Sequence, residues 1–425
     1  MPKNPVFIAF WGVCVLLMAC HQKKETTHVS ESSVQQKIHS GEWELLFHLG
    51  AINMPVCVWV NESEQVIIKN ASEHIICSNP VFRGDSVFFR APIFDNEFRG
   101  HILSSTRITG TWHNLSKKNY AISFTANWHE TKGNYTPPGN DKNEKSTWAA
   151  VFSPGTDDEY KAIGVFNPCP SGGLFHPNNY EGTFMTETGD YRYLSGYRRN
   201  DSLLLAAFDG SHVFLFTAQY YSKGDSLRGM FYSGNHWSEP WIAGKNTRVS
   251  LSNPDSLTRM VHADSLFHFS FPDLNGKQLN YPSATFNNKV TIVQIMGSWC
   301  PNCMDETSYL MDVYRKFQTK GVEVVSLCFE RSDDFNTSVK QVTRMKESLH
   351  VTYPFLIAGT ANKGQAVKKL PMLNHIMSFP TTVYLDRKGN VRKIYTGFYG
   401  PSTGKYHERF IEENQRFIEK LLAEQ

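Results

Sequence analysis

Residues 290–314 read VTIVQIMGSWCPNCMDETSYLMDVY: an apolar run, a Gly-Ser-Trp turn, Cys-Pro-Asn-Cys, and then a helical pattern. A buried-type strand that turns straight into a helix commits this part of the chain to alternating strands and helices. The same stretch also carries chemistry, because two cysteines two residues apart can grip a metal, staple a loop, or shuttle between thiol and disulfide.

The alternation continues downstream. Residues 304–319 put Leu310, Val313, Tyr314 and Phe317 on one helical face, and VEVVSLCFE (322–330) is a second strand. A helix over 335–349, a short strand over 353–359 and a helix over 361–375 follow. TTVYLD and VRKIYTGF then flank the turn Arg387-Lys388-Gly389-Asn390, and the last helix spans 405–422.

Upstream the pattern is β throughout. Runs such as CVWVN, QVIIKN, SVFFRAPIF, YAISFTANW and HVFLFTAQYY alternate with turn residues between 41 and 246, and none sustains helical periodicity. Three pairs of segments echo each other in order: GEWELLF (41–47) and STWAAVF (146–152); GDSVFFRAPIFD (84–95) and NDSLLLAAFD (200–209); TRITGTWHN (106–114) and SLRGMFYSG (226–234). Two β-meander halves that close on each other would remove exposed edges, so a barrel or sandwich with an internal repeat is expected. A chain of 425 residues exceeds a single ordinary core. The expected class is α+β multidomain, with a β-rich domain at 41–246 (repeats 41–128 and 146–246), a linker at 247–265 and an α/β domain at 266–425. The Pro/Gly-rich 129–145 stretch joins the repeats.

The first twenty residues read as a targeting segment. Lys3 supplies the positive end, and 6–18 is apolar over thirteen residues, short of the roughly 20 that a membrane span needs. Leu17-Met18-Ala19-Cys20 resembles the lipobox of bacterial lipoproteins, in which Cys20 would become the lipid-modified first residue; a plain cleaved signal is the alternative. The polar residues after it, 21–40, would act as a tether. A formal charge of +3 argues against a nucleic-acid surface.

Export favours managed redox chemistry for a surviving Cys-x-x-Cys. Zinc would need two further ligands at suitable spacing, and the sequence has no second Cys-x-x-Cys or Cys-x-x-His. Cys300 falls at the start of the helix, where unpaired N–H groups and the dipole favour a thiolate. Pro301 suits the first turn. Cys303 lies one turn on, as the resolving thiol. Glu306 shares the face of Cys303 and is either its proton partner or a helix-start acid. Asp305 is expected to be solvated. Pro380, before a β run, is either a cis-proline or an ordinary strand start. Cys328 reads as a buried strand residue, and a Cys57–Cys77 bridge is open.

GSWCPNCMDE, followed about 75 residues on by SFPTTVYLDRKGNV, resembles the TlpA/ResA-like thioredoxin-fold thiol-disulfide oxidoreductases. The likeness covers 267–425, and FSFPDLNGKQLN (269–280) looks like that family's opening. It implies a thioredoxin-like fold, Cys300 as nucleophile, Cys303 as resolving thiol, Glu306 as tuning acid and Pro380 as cis-proline, with Trp299, Pro301, Phe379 and Thr381 as supporting motif residues. It implies no cofactor and no metal. Classical thioredoxins carry a buried Asp six residues before the first cysteine, and Gln294 stands there instead. The β-rich part looks like the N-terminal extensions of some Bacteroidetes-type members.

Three functions follow for comparison. One is a membrane-tethered, periplasm-facing reductase of exported protein disulfides, apocytochromes c among its candidate clients, recharged by an unidentified membrane or periplasmic electron donor. A second is a peroxiredoxin-like peroxidase. Its Pro-x-x-x-Thr/Ser-x-x-Cys signature is absent, since Gly297 and Val293 stand at the required positions. The third is a lipoprotein whose β-rich domain binds a ligand or envelope partner.

Overall fold

In the C-terminal part, the strands Val290–Met296 and Val322–Glu330 are buried along their whole length, as expected of strands covered on both faces. They centre a five-stranded sheet in the order Phe355–Thr360, Val322–Glu330, Val290–Met296, Thr381–Leu385, Val391–Thr396. The first three strands are parallel, and the last two are antiparallel additions. Helices Pro301–Phe317, Phe335–Ser348, Lys363–Lys369 and Lys405–Ala423 connect or close the sheet. Lys363–Lys369 is shorter than its sequence pattern promised, because Pro371 follows at once and cannot continue a helix. The motif helix and the last helix meet through Asn414 Nδ2, which donates to Tyr309 Oη at 2.9 Å, and through Phe410 against Tyr309. The hairpin Phe269–Pro272/Gln278–Tyr281 precedes the sheet.

The computed structural model describes residues 37–130, 146–168, 179–262 and 264–424. Cys20, the targeting segment, the tether up to 36, the 131–145 part of the Pro/Gly-rich stretch and Cys169 lie outside the described residues. Among those described, no helix is long and apolar enough to cross a membrane.

The β-rich region forms two nine-stranded sheets. In the first, strand Gly41–His48 lies between Asn53–Val60 and Ala121–His129. In the second, Ser146–Phe152 lies between Tyr160–Pro168 and Trp237–Lys245. Arg107–Asn114 and Ser226–Ser233 each sit beside the last strand of their sheet, so the segments that echo in sequence occupy corresponding places in the two sheets. Closure is what differs. Tyr160–Pro168 pairs with Asn179–Thr186, which makes eight strands of the second sheet a closed barrel. The first sheet stays open as a half-barrel.

Alternation of buried and half-buried residues along Gly41–His48 and Asn53–Val60 gives the half-barrel one apolar face. That face is covered by the barrel wall. Phe208, Val213 and Leu215 of the barrel enter the half-barrel core, with the Phe208 ring 5.5 Å from Phe47, 5.4 Å from Phe98 and 5.3 Å from Trp112. The barrel has its own interior of Phe152, Phe166, Phe184, Phe216, Phe231 and Trp241. Lys37–Gln425 forms one compact unit. The expected linker is partly structured, since helix Pro254–Leu257 lies within it.

Candidate active site

The central strand runs into a turn that only glycine permits. A Cβ on Gly297 would lie 2.3 Å from Trp299 Nε1 and 2.8 Å from the Phe329 carbonyl. The turn is tied down by Glu330, at the end of the neighbouring strand, whose carboxylate accepts from Ser298 N at 2.8 Å and Ser298 Oγ at 2.6 Å. Trp299 Nε1 donates to Phe329 O at 3.0 Å.

Cys300 is the N-cap of the motif helix. Its Sγ accepts from Cys303 N at 3.2 Å and donates to Phe379 O at 3.4 Å. Pro301 opens the first turn. The Phe379-Pro380 peptide is cis, and Thr381 Oγ1 donates to Ser378 O at 2.8 Å. The structure therefore brings Cys300, Cys303, Trp299, Pro301, Phe379, Pro380 and Thr381 to one place. Cys300 is 6% exposed and Cys303 fully buried. Both are free thiols, as are Cys57, Cys77 and Cys328.

Behind the pair lies a closed polar group. Gln294 Nε2 donates to Cys303 O at 3.3 Å and to Glu306 Oε2 at 2.9 Å, and Thr382 Oγ1 donates to Glu306 Oε1 at 2.8 Å. Ser326 Oγ and Thr307 Oγ1 satisfy the other end of Gln294 at 2.7 and 3.2 Å. Burial raises the Glu306 carboxyl to about 7, although both hydrogen bonds pull the other way. Burial also pushes the Cys303 thiol well up, reinforced by the adjacent Cys300 and by Glu306. Glu330 is raised to about 7 by burial as well. A carboxyl that titrates near neutrality beside a buried thiol can take and return that thiol's proton.

Asp305 departs from its expected place in solvent. Its side chain is 12% exposed and pairs with Arg192 Nη1 at 2.8 Å. Burial lifts it to about 7 in spite of the guanidinium. The helix that bears Asp305 offers it no cation, whereas the barrel supplies one from more than a hundred residues away. Arg192 also donates through Nη1 to Pro301 O at 3.2 Å and through Nη2 to Glu73 Oε1. Sequence reasoning missed Arg192, Glu73, Asp190 and Glu330. Thr188-Gly189-Asp190 looks like any turn, and nothing local marks Arg192 as buried.

A sheet of this order, delivering two cysteines at the first turn of a helix, defines a class. The C-terminal part of the chain is a thioredoxin-like thiol-disulfide oxidoreductase. More narrowly, residues 262–405 match the Redoxin family. The chain is similar to the thiol-disulfide oxidoreductase ResA of Bacillus thuringiensis subsp. konkukian, 25% identical over 146 residues, 34% of this chain and 74% of that protein. It is also similar to the sporulation thiol-disulfide oxidoreductase A of Bacillus subtilis, 23% identical over 145 residues, 34% of this chain and 78% of that protein. Among solved structures, a thioredoxin-family thiol:disulfide interchange protein from Chlorobium tepidum aligns with 39% of this chain and 100% of its own, at 19% identity and a TM-score of 0.30.

Proposed function

We propose that the protein is a membrane-tethered reductase of disulfides in exported proteins, acting through Cys300 and Cys303, with Cys20 as the lipid-bearing residue and the catalytic domain facing the periplasm. The β-rich domain, 41–246, and the redox domain, 266–425, are its two working parts. The observation that carries the dithiol reading is the position of Cys300 Sγ at the helix N-cap, accepting the Cys303 amide at 3.2 Å, where negative charge on sulfur is stabilised.

The Cys300 thiolate attacks one sulfur of the substrate disulfide, forming a mixed disulfide and releasing the other sulfur as a thiolate. Cys303 loses its proton to Glu306 and attacks Cys300 Sγ, expelling the second substrate sulfur. The substrate gains two electrons and, from Glu306 and solvent, two protons, while the enzyme becomes the Cys300–Cys303 disulfide. A dithiol donor at the membrane or in the periplasm returns it to the reduced form. Pro380 and the Phe379 backbone border Cys300 and line the approach of the substrate.

The test is single-turnover reduction of a protein disulfide by the prereduced protein. Cys300→Ser is expected to abolish it, and Cys303→Ser to stop at a mixed disulfide stable enough to isolate. Full activity in Cys300→Ser would sink the reading.

A further inference from the structure

Two short segments border Cys300, 299–302 and 378–380, and a third, 397–400, is tied to both: Asn302 Nδ2 donates to Phe398 O at 3.2 Å and Gly397 N to Pro380 O at 2.9 Å. Each is held by the β-rich region. Barrel segment 186–192 covers all three. Thr188 O accepts from Ser378 Oγ at 2.9 Å, Thr186 O from Tyr399 Oη at 3.0 Å, and Asp190 Oδ2 from Gly400 N at 2.5 Å. Gly189, at φ 140°, presses so closely on Asn302 that a Cβ would lie 2.3 Å from its Nδ2. Arg192 follows at φ 56°, an uncommon conformation for a residue with a side chain. It reaches Pro301 O, Asp305 and Glu73 with a side chain only 4% exposed. On the opposite flank, Ser211 Oγ donates to Trp299 O at 3.3 Å, Arg331 Nη1 to Ser116 Oγ at 3.0 Å, and Arg344 pairs with Asp95 at 3.1 Å.

A disulfide inside a folded protein arrives with bulky chain on both sides of its sulfurs, so it needs an open face around the attacking thiol. Here that face carries the protein's own barrel. We infer that Arg192 is a specificity-determining residue: it clasps segment 186–192 over the redox face, so that small disulfides reach Cys300 while disulfides of folded proteins react only when the clasp parts. Three features favour a clasp over an inert domain boundary. The contacts converge on the segments bordering Cys300, they are polar and ionic, and the segment that makes them holds an uncommon backbone conformation at Arg192. A buried ion-pair cluster of this kind holds one arrangement firmly without demanding that it be permanent.

The inference rests on Cys300 as the attacking thiol, and the experiment separates the two. Prereduced full-length protein is mixed with oxidised glutathione and, separately, with insulin, and its oxidation is followed by acid quench and thiol counting. Each turnover oxidises the Cys300/Cys303 pair by two electrons and reduces one disulfide. Arg192→Met is compared with the wild type. Because it leaves two partly buried carboxylates unpaired, it is accompanied by the triple variant Arg192→Met/Asp305→Asn/Glu73→Gln, which removes all three charges together. The insulin-to-glutathione rate ratio is expected to rise about tenfold or more, the factor by which a state open a tenth of the time is slowed. An unchanged ratio in the folded triple variant overturns the clasp, as does an equal fall in both rates, which would make Arg192 only a support for the motif. Wild-type protein that reduces neither disulfide, or Cys300→Ser that reduces both, overturns the dithiol reading and the clasp with it.

Discussion

Glu306 shows how a single buried carboxyl links chemistry to stability. Its proton is held in the fold up to about pH 7, against an unfolded value of 4.5. The folded state therefore binds more protons than the unfolded chain between those values. This contribution to stability is fully present below pH 4.5 and is lost as pH rises through 7. Glu306→Gln removes it. At pH 8 the variant is expected to lose less stability relative to pH 5 than the wild type does, by on the order of 3 kcal/mol, as read from urea midpoints at the two pH values. The same variant should displace the pH profile of Cys303 alkylation in a protein carrying Cys300→Ser. An unmoved profile would leave Glu306 as a helix-start acid. Glu306 was legible in the sequence because its spacing from Cys303 fixes its helix face. Its partners Gln294 and Thr382 come from two other strands, and only assembly of the sheet brings them in.

At the scale of elements, the turn from strand Val290–Met296 to helix Pro301–Phe317 depends on a neighbour that the local sequence does not name. Glu330 accepts both hydrogen bonds offered by Ser298. Glu330→Ala strands a buried N–H and hydroxyl, and should cost about 1–3 kcal/mol and slow the reaction with a small disulfide. Urea denaturation and stopped-flow oxidation check the two effects. Gly297→Ala should be harsher, since its methyl would meet the Phe329 carbonyl 2.8 Å away. The strand–turn–helix order could be read from the local pattern because apolar runs, Gly297 and Pro301 punctuate it. The shortened helix Lys363–Lys369 shows the converse, where an apolar pattern ran past a proline that ended it.

For the whole molecule, the open half-barrel is completed by the barrel, and Phe208 is the plug. Truncating it as Phe208→Ala should cost about 3–5 kcal/mol. It should also lower the unfolding midpoint of both β sheets in one transition, seen by tryptophan fluorescence from Trp43, Trp112, Trp148 and Trp241. Two separate transitions in the wild type would mean that the shared core does not couple them. The echo between segments 41–47 and 146–152 signalled related halves. It could not reveal that one half closes and the other stays open, because closure depends on the pairing of Tyr160–Pro168 with Asn179–Thr186.

The sequence by itself determined the α/β class of the C-terminal part, the β character of the rest, and the placement of Cys300, Cys303 and Glu306 at the start of one helix. Those properties are encoded in short-range periodicity, turn residues and fixed spacing along one helix. Only the tertiary structure decided that Asp305 is buried, that Arg192 and Glu73 stand against it, and that the barrel covers the segments around Cys300. Ion pairs between residues separated by more than a hundred positions carry no local signature. They exist only once three separately patterned cores have packed together.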